Sequence, residues 1–186
     1  LKIGISPEQL PLSESAHIVV GNALRMDWNE VVPASEDVYV MGNPPFIGQY
    51  TKTAEQTADM KAVWGKDYDG YLDYVTGWHA QAMHFFAAQS VGRFAFVTTN
   101  SIAQGQPVPA LFGPLHREGW TIPFAHRTFA WSSEAPGAAG VHCVIVGFSK
   151  GIPLKGARLF SYERSQGQPV EEPVTAINPY LVEGPW

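Results

Sequence analysis

Apolar positions along the chain change period several times, and each change marks an element. Residues 1–16 mix apolar and polar positions around Ser6-Pro7 and Pro11, which predicts a loop or a short helix. His17-Ile-Val-Val20 is a β-branched run closed by Gly21-Asn22, and Val38-Tyr-Val-Met41 is a second, closed by Gly42-Asn43-Pro44-Pro45. Both patterns predict a strand ending in a turn. A polar stretch from Gly48 to Gly70 follows, with a short helix expected around Ala54–Val63. From Tyr71 the period becomes helical: Leu72, Val75, Trp78, Ala82, Phe85 and Phe86 keep to steps of three and four. They predict one face of a helix of about five turns. Arg93–Thr99 alternates as a strand and ends at Asn100-Ser101. Pro107–Glu118 predicts a helix stopped by Gly119, and the runs Thr121–His126 and His142–Phe148 predict two strands around a Gly-, Ala- and Ser-rich loop. After Gly151 the chain turns Pro- and Gly-rich, which predicts a linker over 151–186.

Strands alternating with helices imply an α/β domain with a mainly parallel sheet. The last two predicted strands lack a helix between them, so an antiparallel hairpin is expected near one edge of the sheet. Ligands of such sheets bind at the carboxyl ends of the strands. Asn22, Asn43 and Asn100 each stand just past such an end.

With 186 residues and 45% apolar content, the chain suffices for one folded domain. The lone Cys143 lies in an apolar run and reads as a buried thiol. There is no stretch near the roughly 20 apolar residues of a membrane span, and no signal-peptide pattern. A cytoplasmic location without membrane contact is therefore expected. The net charge of −5 opposes nucleic-acid binding, but it is uneven. Residues 1–73 hold eleven acids and five bases, whereas 74–186 hold six acids and seven bases. Neither half is a basic groove, so most of any grip on phosphates would lie elsewhere.

Asn43-Pro44-Pro45-Phe46 carries the sharpest chemistry. Two prolines fix φ and remove backbone donors, so the string makes a rigid turn whatever its role. The same rigidity holds an Asn side chain, a backbone carbonyl and an aromatic face in one geometry. The Asn43 oxygen and the Pro44 carbonyl suit the two N–H bonds of a planar exocyclic amine, and Phe46 suits stacking on its ring. Other constellations are absent. The six histidines give no i,i+4 pair, one Cys gives no zinc set, and there is no phosphate loop. Asp69, Asp73 and Glu134 form no recognisable hydrolytic pair.

With these residues in place, the chain resembles the class I S-adenosylmethionine-dependent, adenine-specific DNA methyltransferases, and within them the MmeI-like restriction–modification enzymes. Its landmarks are Gly21–Trp28, Gly42–Gly48, Leu72–Trp78, Phe94–Ser101 and Ala125–Glu134, followed by the Val141–Phe148 strand. The resemblance implies a Rossmann-like fold, represented here by the C-terminal half of the catalytic domain over 1–150. It implies S-adenosyl-L-methionine as cofactor and a flipped adenine of double-stranded DNA as substrate. By position, Asn43, Pro44, Pro45 and Phe46 would be catalytic. Asn22, where the family usually has an acidic residue, and Ala23 would touch the cofactor. Asn100 and Ser101 would line the target pocket, and Phe129 or Trp131 would be the second aromatic against the base.

The family's Gly-rich cofactor loop is not found upstream of Asn43, so it is expected in a preceding segment; 151–186 is expected to lead to a target-recognition domain. Without its neighbouring strands, Val38–Met41 would have one unpaired edge. That edge is expected to be covered by His17–Val20 or by another chain, with self-association as one outcome. Methyltransferases acting on RNA or on protein glutamine, and a non-catalytic specificity module of the same fold, are the competing expectations.

Overall fold

The computed structural model describes residues 16–131, 141–164 and 167–186. The reading of 1–15 as loop or helix, and Glu134, lie outside these residues. Nine regular elements follow in order: β1 (Val40–Gly42), α1 (Ala54–Trp64), α2 (Gly77–Phe85), β2 (Gly92–Thr99), α3 (Pro107–Arg117), β3 (Trp120–Trp131), β4 (Val141–Lys150), β5 (Ala157–Ser161) and β6 (Val170–Val174). The six strands form one sheet in the order β1-β2-β4-β3-β5-β6. β1, β2, β3 and β5 point one way, while β4 and β6 run against them. The antiparallel hairpin is therefore real, but it lies in the middle of the sheet and not near an edge, because β4 is inserted between β2 and β3 and β5 and β6 continue beyond β3.

Local sequence explains the helices. Thr53 and Gln56 exchange capping-box bonds at the start of α1. Pro107 fits the first turn of α3, whose buried Val108, Leu111, Phe112 and Leu115 form one stripe. α2, α3 and one face of the sheet meet in an aromatic core. Phe94 stacks on Phe148 at 4.8 Å, Trp120 packs edge-on to Phe94 at 4.8 Å, and Phe86 and Phe112 close the two sides. On the other face Phe124 lies directly over Gly147, where any Cβ would fall 2.2 Å from its ring. Only glycine allows that crossing.

Three expectations change. The helix expected from Tyr71 begins at Gly77, after a single 3-10 turn at Tyr74–Thr76. The Tyr74 amide donates to the Ile47 carbonyl, and the Asp73 carboxylate accepts from elsewhere in the fold, so 72–76 cannot join the helix. Leu72 and Val75 are still buried, and for that reason their spacing imitates a helical face. Second, the expected linker holds β5 and β6. Ala157 and Leu159 point into the core while Arg158 points out, and β5 pairs in parallel with β3. Third, His17–Val20 is not a strand and does not cover β1. A groove of about 510 Å³ lies between the two segments, and the His17 ring instead bonds the Val31 carbonyl. Among the described residues nothing pairs with the outer edge of β1. Ile18, Val20, Tyr39 and Met41 stay exposed there.

His79 of α2 is the one imidazole in the aromatic core, ringed by Phe94, Phe96 and Phe148. Neither ring nitrogen has a hydrogen-bond partner among the described residues. Burial lowers its pKa from the ordinary 6.5 to about 3, and the Val75 carbonyl one turn back offsets only part of this. A base with a depressed native pKa gives its full stability above the unfolded value and loses it as pH falls. His79→Leu should therefore remove a pH-dependent penalty of about 2 kcal/mol that the native chain acquires between pH 6.5 and 5. Urea midpoints measured across that range check it. Parallel pH curves for the two proteins would show that His79 does not stay neutral in the core.

Candidate active site

The four co-directional strands bring their carboxyl ends to one edge of the sheet. There β1 delivers Asn43–Phe46, β2 delivers Asn100-Ser101, β3 delivers Phe129 and Trp131, and β5 delivers Tyr162. The sequence-predicted target and catalytic residues are thus on a common edge. Pro44 is buried, Asn43 and Pro45 are exposed, and Phe46 is half-buried against the core. Burying the first proline pins the turn, so the Asn43 side chain projects from a fixed backbone. That side chain has no hydrogen bond among the described residues.

Asp73, only 8% exposed, links this turn to the end of β2. Its Oδ1 accepts from the Gln49 amide at 2.7 Å. Its Oδ2 accepts from Ser101 Oγ at 2.5 Å and Thr99 Oγ1 at 3.3 Å. Bonds to an ionised acceptor are roughly twice as strong as neutral ones. Lys52 stands close by, donating to the Leu72 carbonyl at 2.5 Å. Burial lowers its pKa, against the raising effect of the Asp73 charge. Sequence reading placed Ser101 in the site but missed the carboxylate holding it; the i to i+28 separation leaves no local signal.

Across the edge, Thr99, Cys143 and Phe129 stand in register on β2, β4 and β3. Two strand spacings put Phe129 about 10 Å from Thr99. Phe129 is half-buried and packs on Tyr162 at 5.3 Å and Trp131 at 6.3 Å, and Trp131 is 42% exposed. Tyr162, missed in the sequence because its strand was missed, also hydrogen-bonds His126 Nδ1 at 2.8 Å. Cys143 is fully buried, and burial pushes its thiol up, as expected of a core residue.

Asn22 and Ala23 are in a different position from the others, on the open side of β1. The Asn22 amide donates to Asp59 at 2.9 Å, and its oxygen accepts from the Leu24 amide at 3.0 Å. Asp59 is buried and also accepts from Arg25 and Tyr74. Burial pushes the Asp59 carboxyl up, but the bonds from Arg25, Asn22 and Tyr74 outweigh it and hold the pKa below the usual range. Asn22 therefore anchors its turn to α1, and its oxygen keeps one lone pair for a further donor. The Ala23 carbonyl accepts from Trp28 Nε1 at 2.9 Å. This bond sets the Trp28 ring beside a pocket of about 380 Å³ lined by Trp28, Trp78, Met41, Asn43, Pro44 and Pro45. Two indoles and an apolar floor suit a flat heterocycle. Neither indole was singled out from the sequence for a ligand, because each also fits a packing role. Among the described residues no group of His, Cys, Asp and Glu could hold a metal ion.

Residues 2–161 match the family described as MmeI, DNA-methyltransferase domain. The chain belongs to that family. DNA methyltransferase A of Bacillus subtilis (strain 168) is 38% identical to this MmeI-type domain over 178 residues, which is 94% of the domain and 20% of the relative. The structure of the type IIL restriction-modification enzyme MmeI in complex with DNA superposes with a TM-score of 0.86 at 41% identity. It covers 95% of this chain and 24% of that one. The domain thus spans about a fifth to a quarter of these relatives' length. A modification subunit of a putative type I restriction enzyme from Vibrio vulnificus YJ016 shares the fold, with a TM-score of 0.53 at 14% identity. The α/β architecture of this MmeI-type methyltransferase domain agrees with the Rossmann-like expectation.

Asp73→Ala should lower the stability of the domain by about 2 kcal/mol, since it removes a charged acceptor from three donors. Asp73→Asn, which keeps one acceptor oxygen, should cost less. Urea unfolding of the three proteins measures this. Equal midpoints would mean that the turn after Phe46 and the end of β2 are held without the carboxylate.

Proposed function

We propose that this domain, within its full-length protein, transfers a methyl group from S-adenosyl-L-methionine to the N6 amino group of an adenine flipped out of double-stranded DNA, as the modifying part of a restriction–modification enzyme. The observation that carries this reading is Asn43: an exposed amide with no side-chain hydrogen bond among the described residues, on a turn pinned by the buried Pro44 and flanked by Phe46. The relative solved with DNA supports the substrate class.

Asn43 Oδ1 and the Pro44 carbonyl each accept one N–H of the adenine amine. Two fixed acceptors rotate the nitrogen lone pair out of conjugation with the ring and direct it outward, so catalysis comes from positioning and placed dipoles. Phe46 stacks on one face of the base. Phe129 or Trp131 takes the other, and Trp131 is the more accessible of the two. Asn100 and Ser101 form the floor, with Ser101 held by Asp73. The residues on the open side of β1 fit the cofactor: Trp28 and Trp78 give its adenine two indole walls beside Asn43, and Ala23 and the remaining Asn22 lone pair lie along the same side. When bound, S-adenosylmethionine supplies the electrophilic methyl group. The outer edge of β1, unpaired among the described residues, supports pairing with a further strand, and self-association is one way to supply it.

In the full-length protein, Asn43→Ala should reduce methyl transfer at least about 100-fold while leaving cofactor affinity within about twofold. Single-turnover transfer and calorimetric titration of the cofactor separate the two effects. Nucleoside mass spectrometry of the modified DNA should show N6-methyladenine. Finding N4-methylcytosine, or transfer only to RNA or to protein, would overturn the substrate assignment, and near-normal transfer by the variant would overturn the role of Asn43.

A further inference from the structure

The Asn178-Pro-Tyr-Leu181 segment docks onto the carboxyl edge of the sheet. Ile177 and Leu181 are buried, and the turn is closed by bonds from Asn178 N to the Val182 carbonyl and from Leu181 N to the Asn178 carbonyl. Leu181 has a φ of 56°, the left-handed region that a branched side chain adopts only at a cost. Such strain persists where the surroundings over-determine it, and functional sites are common among those places. The Leu181 carbonyl accepts from Arg127 Nε at 2.9 Å, so the strained turn holds the guanidinium of β3 in place. Arg127 Nη1 reaches Ser161 Oγ only at 3.4 Å, and Arg127 makes no ion pair among the described residues.

Arg127 opens into a pocket of about 390 Å³ that Asn100, Gln104, Thr128, Tyr162 and Tyr180 also line. Among the described residues its lining includes no carboxylate. In a chain with 17 acids and 12 bases, a concavity whose polar lining among the described residues is one guanidinium with amides and hydroxyls is suited to an anion. Tyr180, 58% exposed, stands at its rim, held by the bond from its amide to Asn178 Oδ1. Asn100 belongs both to this pocket and to the proposed floor of the target site. We infer that the pocket binds a phosphodiester of the DNA strand beside the extruded nucleotide, with Arg127 as its cation. The inference rests on the proposed DNA substrate. Two acceptor oxygens of a phosphate suit the guanidinium fork, and fixing that phosphate sets the position of the neighbouring nucleotide over Asn100.

The test uses the full-length protein and a duplex containing its modification site, with affinity followed against salt by fluorescence anisotropy. Arg127→Gln should reduce the slope of log affinity against log salt by about 0.9, while Arg127→Lys should keep it. Cofactor affinity, measured by calorimetry, should be the same in all three proteins. Gln104→Glu gives an arm free of the Leu181 anchor, because Gln104 is exposed and its side chain makes no bond among the described residues. It should weaken DNA binding roughly fivefold through like-charge repulsion. A wild-type slope in Arg127→Gln together with wild-type DNA affinity in Gln104→Glu overturns the inference and leaves the proposed function standing. Loss of cofactor affinity in Arg127→Gln with an unchanged slope overturns it too, by assigning the pocket to the cofactor's carboxylate. A wild-type protein with no salt-dependent DNA binding overturns the proposed function and this inference with it.

Discussion

A carboxylate that folds into a protein interior needs donors for its oxygens, because desolvation of an unpaired charge costs several kcal/mol. Asp73 meets that requirement with donors from segments far apart in the chain: the Gln49 amide, Thr99 and Ser101. Satisfying one buried charge therefore fixes the turn after Asn43–Phe46 against the end of β2. It also interrupts the helical pattern that begins at Tyr71, so that α2 starts at Gly77. Gly77 then approaches Leu24 so closely that a Cβ would fall 2.9 Å from its side chain. The segment carrying Asn22 and Trp28 is brought to α2 by that contact. Both sides of the candidate site are thus linked to the same few residues.

The sheet provides rigidity by a different means. Its core face is aromatic, with Phe94, Phe96, Phe148 and Trp120 meeting α2 and α3, and interlocking rings leave little room for the strands to shift. Inserting β4 antiparallel between β2 and β3 places Cys143 between Thr99 and Phe129. The two sides of the candidate site are consequently separated by a fixed pair of strand spacings. His79 is one of the few polar side chains in this core, accepted because a neutral imidazole packs edge-on against phenyl rings.

Charge is distributed to match. The chain is acidic overall, yet two buried acids beside the candidate site are satisfied internally: Asp73 by the turn and β2, Asp59 by Asn22, Arg25 and Tyr74. Among the described residues the carboxyl edge presents mostly amides, hydroxyls and aromatic faces, which suits the proposed DNA substrate. An acidic domain in a longer protein can act on DNA if other parts supply most of the phosphate grip.

By itself the sequence determined the strand and helix types for most of the chain, the Asn43–Phe46 turn and the family, since these rest on short-range signals. Alternation shows a half-buried strand, Pro-Pro shows a rigid turn, and Arg93–Thr99, Thr121–His126 and His142–Phe148 follow as observed, with longer ends. His17–Val20 has an equally good β-branched pattern and forms no strand, because a strand exists only with a partner and this one faces a groove. Ala157–Ser161 has a weaker setting among prolines and glycines and does form one, because β3 offers it a free edge. The placements of Asp73, Tyr162 and Arg127, and of Trp28 and Trp78 on one pocket, were decided only by tertiary structure. Each depends on groups tens of residues away, and no local pattern records which buried charge or ring will meet which partner.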